Sequence, residues 1–74
     1  MHTLVAEAIR KKMDLRMIYS GGSLKGVTRQ VTPRGIVRNP DGDYMMALCH
    51  VDHSVKRFYF NKIKEIDSTT RTTP

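Results

Sequence analysis

The sequence predicts a mainly β domain of the α+β class: one N-terminal helix, then a five-stranded antiparallel sheet curled into a small barrel. Three observations predict it. Apolar residues repeat at helical spacing only between Thr3 and Lys12. From Asp14 onward they alternate in short runs divided by turn residues, which is the strand pattern. The chain has 74 residues, 39% of them hydrophobic, enough for a single thin core and for one domain only. That domain is expected over residues 3–67, with 68–74 as a flexible tail that has nothing to bury.

The helix is read from "HTLVAEAIRKKM". Thr3 is a natural N-cap, and Leu4, Val5, Ala8 and Ile9 form the face that docks on the strands. Glu7 lies early, with Arg10, Lys11 and Lys12 late, which suits the helix dipole. "LRMIYS" is the first strand, with Leu15, Met17 and Tyr19 on one face. "GGSLKG" is a flexible loop, "VTRQVTP" a second strand ended by Pro33, and "RGIVR" a third. "NPDGD" carries the Asp-Gly hairpin signal before "YMMALCH", the fourth strand. "KRFYF" comes next as the fifth, and "NKIKEI" as a final short helical turn or strand. A leading helix and strands this short suit an SH3-like (Sm-like) barrel, which hides edges that otherwise aggregate. The competing OB-fold carries its helix between strands.

Composition narrows the function. Thirteen Lys and Arg against seven Asp and Glu give a net charge of +6, a field that attracts polyanions, nucleic acid first among them. The bland counterpart is solubility, since small domains carry charges of this size for that reason alone. The single Cys49 forms no internal bridge, which fits a reducing, cytoplasmic setting. No apolar run approaches the roughly 20 residues of a membrane span, so no membrane partner is expected.

Several ordered stretches, "LRMIY", "RQVTPRGIV", "GDYMMAL" and "KRFYFNKI", together resemble the WYL domain, a Sm-like barrel of bacterial regulators that is also attached to some helicases and CRISPR-associated proteins. The resemblance runs from about Leu4 to Ile66. Arg29, Val31, Pro33 and Gly35 match its middle pattern. Of the name-giving tripeptide Tyr44 is kept, with Asp43 in place of Trp and Met45 in place of Leu. Lys56 and Lys62 keep the basic character of the closing pattern, while Tyr59 replaces an Arg. The resemblance implies a ligand-sensing or nucleic-acid-binding module whose basic and aromatic positions line one surface.

Alternation along the fifth strand puts Phe58 and Phe60 on the core side and sends Arg57 and Tyr59 outward. Tyr59 then offers a flat ring for base stacking beside a cation for phosphate. Its bland reading is a surface ring covering a neighbouring strand. Arg29 shares a face with Val31, yet a guanidinium is rarely buried without a partner. It stands at a barrel mouth where its fork grips a phosphate or carboxylate, is turned outward by a bulge, or pairs with Asp43 or Glu65. Tyr44 lines the same surface or fills the core. Lys56 and Lys62 are otherwise solvated surface.

"CHVDH" lacks the second ligand cluster that a structural zinc site needs, so Cys49 is read as a small buried hydrophobe and no metal or cofactor is expected. "GGSLKG" lacks the Walker order, although Lys25 can brush a phosphate. Neither a nucleophile with a positioned base nor paired carboxylates are visible, so the chain is not read as an enzyme. The leading expectation is an accessory or regulatory module that binds single-stranded nucleic acid, DNA foremost, through Arg29, Arg34, Tyr44, Lys56, Arg57, Tyr59 and Lys62. It would serve within a larger regulator or helicase, or alone, since the chain begins with Met. One alternative is a sensor of a small phosphate-bearing ligand such as a nucleotide. The other is a protein-interaction or homo-oligomeric barrel.

Overall fold

The computed structural model describes residues 1–21 and 26–69. Helix α1 (His2–Lys11) leads into strands β1 (Asp14–Tyr19), β2 (Thr28–Val37), β3 (Tyr44–Cys49) and β4 (Ser54–Tyr59), then a 3-10 turn (Phe60–Lys62) and β5 (Ile63–Thr69). The strands form one antiparallel sheet in the order β4-β3-β2-β1-β5.

Helix α1 buries Val5 and Ala8, half-buries Leu4 and Ile9, and packs mainly against β2. Ten residues are too few to hold a helix alone in water, so this docking is what stabilises it. The helix begins earlier than Thr3: Met1 is the cap residue, its carbonyl accepting the Val5 N–H at 3.0 Å with no side-chain cap. It ends where Lys12 turns left-handed at φ 57° and the Met13 N–H reaches back to the Ala8 carbonyl at 2.8 Å, a Schellman-type stop.

Pro33 does not end a strand. The expected second and third strands are the single strand β2, and its register against β3 slips between Pro33, opposite Ala47, and Gly35, opposite Met46. Arg34 is the extra residue of this bulge. Proline has no N–H for the ladder, and a bulge is one of the few places where a sheet tolerates it. "NKIKEI" accordingly yields both a 3-10 turn and the fifth strand. Ser68 and Thr69, assigned by sequence to the tail, instead pair with Leu15 and Asp14. The remainder of that tail, and the loop expectation at residues 22–25 with Lys25, lie outside the described residues.

The expected helix and five-stranded antiparallel sheet are present, while closure of that sheet into a barrel is not detected. Among the described residues no ladder joins the edge strands β4 and β5. The 3-10 turn carries the chain between them, and both edges bear charge, Lys56 and Arg57 on one, Lys64, Glu65 and Asp67 on the other, which discourages unwanted pairing. The core lies between α1 and the inner sheet face, built on Val5, Leu15, Met17, Val31, Met45 and Phe58. Cys49 is buried there as a free thiol. Asp14, also buried, accepts hydrogen bonds from Gln30 Nε2 and Thr32 Oγ1, each at 2.8 Å.

Candidate functional site

Where the ends of β1 and β4 meet the 3-10 turn, the core opens into a cleft of about 190 Å³ lined by Tyr19, Gly21, Arg29, Lys56, Arg57, Phe58, Tyr59 and Lys62. Four of these side chains are cations and none is an acid. Tyr19 ties the walls together. Its hydroxyl accepts the Tyr59 N–H at 2.9 Å, and its ring meets Phe58 edge-on at 5.1 Å. Ser20 adds a second tie, since its N–H and its hydroxyl both donate to the Lys62 carbonyl, at 2.8 and 2.9 Å. Gly21 allows the close approach: a Cβ there would fall 2.8 Å from Tyr19 Cε2.

Arg29 forms the floor. It follows the alternation inward, opposite Met17, and is 4% exposed. Its guanidinium carbon lies 5.8 Å from the Tyr19 ring centroid and 5.5 Å from that of Phe58, a cation–π arrangement that offsets part of the cost of desolvation. Asp43, one of the acids considered for it, bonds His2 at 2.9 Å and lies 3.8 Å from Arg38.

Because β4 is an edge strand, side chains from both of its faces reach the cleft. Lys56 and Phe58 come from the inner face, Arg57 and Tyr59 from the outer. Lys62 Nζ lies 5.7 Å from the centre of the Tyr59 ring, and the Arg57 guanidinium 5.4 Å from that of Tyr44. Tyr44 and Tyr59, opposite each other across β3 and β4, meet edge-on at 5.3 Å. Lys56 is ion-paired with Asp52, and that lysine, more than any other neighbour, holds the Asp52 carboxyl down to about 2.

The family model of the WYL domain matches residues 1–68 of this chain. The chain belongs to the WYL family. The solved structure of proteasome accessory factor B/C (PafBC) of Arthrobacter aurescens resembles this WYL domain with a TM-score of 0.82 at 25% sequence identity. The match covers 95% of this chain and 11% of the PafBC chain. Comparison with curated protein sequences returned no match.

Of the residues singled out by sequence, the WYL domain gathers Arg29, Lys56, Arg57, Tyr59 and Lys62 around one cleft, with Tyr44 beneath Arg57. Arg34 stands apart, exposed at the β2 bulge and absent from the lining. Phe58 and Phe60 are buried at 1% and 8% exposure, although Phe60 lies in the 3-10 turn rather than on the strand. The sequence does not assign Tyr19 or Gly21 to the site, and it assigns Phe58 to the core only. Alternation marks Tyr19 as a core residue, and nothing local reveals that its hydroxyl ends at Tyr59, 40 residues on.

Proposed function

We propose that this WYL domain binds single-stranded nucleic acid and serves as a regulatory module within a larger protein, a transcription regulator of the PafBC kind. The observation that carries the reading is the cleft itself, four cations and the Tyr59 ring around one opening with no carboxylate in its lining. Phosphates meet Arg29, Lys56, Arg57 and Lys62, while Tyr59 and Tyr44 offer faces to bases, a combination that binds strands with little sequence preference. Size favours a strand over a whole small molecule. Ordinary small-ligand sites run from roughly 300 to 1,000 Å³, and this cleft, at about 190 Å³, takes one part of a longer ligand. Among the described residues α1 is the one α-helix, and it docks on β2 through Val5 and Ala8, so no second helix packs against it as a helix-turn-helix partner for reading a duplex groove. The modular role draws on the small share of PafBC that this chain spans. Among the described residues no helix is long and apolar enough to cross a membrane, and a cytoplasmic setting fits a protein that meets nucleic acid.

Fluorescence anisotropy with labelled oligonucleotides of increasing length, at several salt concentrations, tests the reading. Four phosphate contacts set a limit of roughly −3 on the slope of log K against log salt, and about −2 is expected while Lys56 stays paired with Asp52. Tyr59→Ala is expected to weaken binding by about 1–3 kcal/mol, with Tyr59→Phe retaining most of it. An affinity indifferent to length and salt, matched by a mononucleotide, would replace the strand with a small anion. Mass that rises with protein concentration, without oligonucleotide binding, would point to an oligomerisation domain instead.

A further inference from the structure

Tyr59 divides two openings. Besides the first, Tyr59 and Lys62 line a second, wider cleft of about 330 Å³ together with Asp41 and Asn61, and Arg29, Lys56 and Arg57 are absent from its lining. Its chemistry differs from the first: one cation remains, and a carboxylate and an amide take the place of the others. The backbone turns that carry both groups are fixed by hydrogen bonds. Asp41 sits in the β2–β3 turn, where the Gly42 N–H donates to the Asn39 carbonyl at 2.9 Å and the Asn39 N–H to Asp43 Oδ1 at 3.1 Å. The Phe60 N–H donates to the Asp43 carbonyl at 3.1 Å, which clamps that turn against the 3-10 turn bearing Asn61. Gly42, at φ +135°, is where the two meet: a Cβ built on it lies 3.8 Å from Tyr59 Cδ1 and 3.9 Å from Asn61 Nδ2. Among the described residues the Asp41 carboxylate enters no ion pair and the Asn61 amide no hydrogen bond, so both are available to a ligand.

We propose that this second cleft is a nucleobase subsite that prefers bases carrying an exocyclic amine. The inference rests on the single-strand function proposed for the first cleft. A carboxylate repels phosphate, so the Asp41 side of Tyr59 is the side for a base, and the cation-rich side is the one for the backbone. With a base against the Tyr59 ring, the Asp41 carboxylate accepts from an amino group and the Asn61 amide donates to the neighbouring ring nitrogen. The amino group and N3 of cytosine present that donor–acceptor pair side by side. Thymine presents carbonyl oxygens on either side of its one N–H, and a carboxylate meets them with repulsion. Cytosine and thymine have rings of the same size, so comparing them isolates edge chemistry from stacking.

The experiment is anisotropy with oligo-dC and oligo-dT of equal length at one salt concentration. The expected result is a dC preference of about five- to tenfold, a modest share of what a good base contact provides. Asp41→Ala, at an exposed turn position, should abolish the preference by lowering dC and raising dT toward a common affinity, and Asn61→Ala should lower dC in part. Circular dichroism checks that both variants keep the wild-type fold. Equal binding of dC and dT by the wild type overturns the subsite while leaving the single-strand reading intact. An Asp41→Ala variant that strengthens both oligomers alike also overturns it, because Asp41 then acts only as a general repulsive charge. If neither oligomer binds, both readings fall together.

Discussion

Lys56 enters the cleft already paired. The Asp52 carboxyl, held down to about 2 chiefly by that lysine and by the Ser54 hydroxyl at 3.1 Å, is ionised throughout the pH range in which nucleic acid is handled. At any such pH Asp52 neutralises part of the field that Lys56 offers a phosphate. Asp52→Asn removes the carboxylate charge and frees the lysine, so oligonucleotide affinity at low salt should rise. If Lys56 exchanges Asp52 for a phosphate, the slope of log K against log salt should steepen by up to about 0.7. A salt titration of wild type and variant checks this, and an unchanged slope would remove Lys56 from the interface. The variant costs little structurally, since the pair is solvent-exposed and exposed pairs add little to stability. Asp52 itself was legible in the sequence only as a turn residue. Its effect on Lys56 depends on the four-residue reach from the turn back onto β4, which strand alternation does not address.

At the scale of elements, local periodicity read correctly where structure is local. The helix, the inward set Leu15, Met17 and Tyr19, and the hairpin signal at Asp41-Gly42 all arise from spacing and turn chemistry. The readings that the structure altered or left undetected depended on partners distant in sequence. Pro33 looked like a strand terminus because its missing donor is a local fact, while the bulge that absorbs it requires β3 alongside. Closure depends on whether β4 and β5 meet, which no window of residues encodes. Five of the residues drawn from the sequence gather at the cleft for the same mixed reasons: β4 supplies Lys56, Arg57 and Tyr59 from its two faces because it lies at the sheet edge, whereas Arg29 joins them only because β2 begins beside Phe58 and Tyr19. That junction makes Phe58 the structural centre of the site. Phe58→Ala should cost about 3–5 kcal/mol, a large fraction of the roughly 4–11 kcal/mol total expected for a chain of this length. Urea denaturation checks it. Phe58→Leu should retain most of the stability, and a loss in the alanine variant well below this range would mean that Arg29 and Tyr19 close over the gap.

Over the whole molecule the excess of positive charge is organised by which carboxylates already have partners. Glu7 is engaged by Arg10 and Lys11, Asp52 by Lys56, and Asp43 by His2, the Asn39 N–H and Arg38, each carboxyl being lowered from its usual range by the first-named group most. The pairing of Asp43 also joins distant parts of the chain. His2, at the start of α1, bonds Asp43 at 2.9 Å and meets the Phe60 ring edge-on at 4.4 Å, so one carboxylate links the helix, the β2–β3 turn and the 3-10 turn. A carboxyl whose folded pKa lies below its unfolded value of about 4 adds stability that is fully present above that value and is lost as pH falls through the folded one. Stability should therefore hold level down to about pH 5 on account of these groups, then decline through the range below about 4. Asp43→Asn removes one of the titrating groups and should make that acid decline shallower, while lowering stability at neutral pH. Urea midpoints at pH 7, 5, 4 and 3 for both proteins separate the two effects. Parallel curves would mean that Asp43 does not couple protonation to folding, and that α1 is held to the sheet by its apolar face of Leu4, Val5, Ala8 and Ile9.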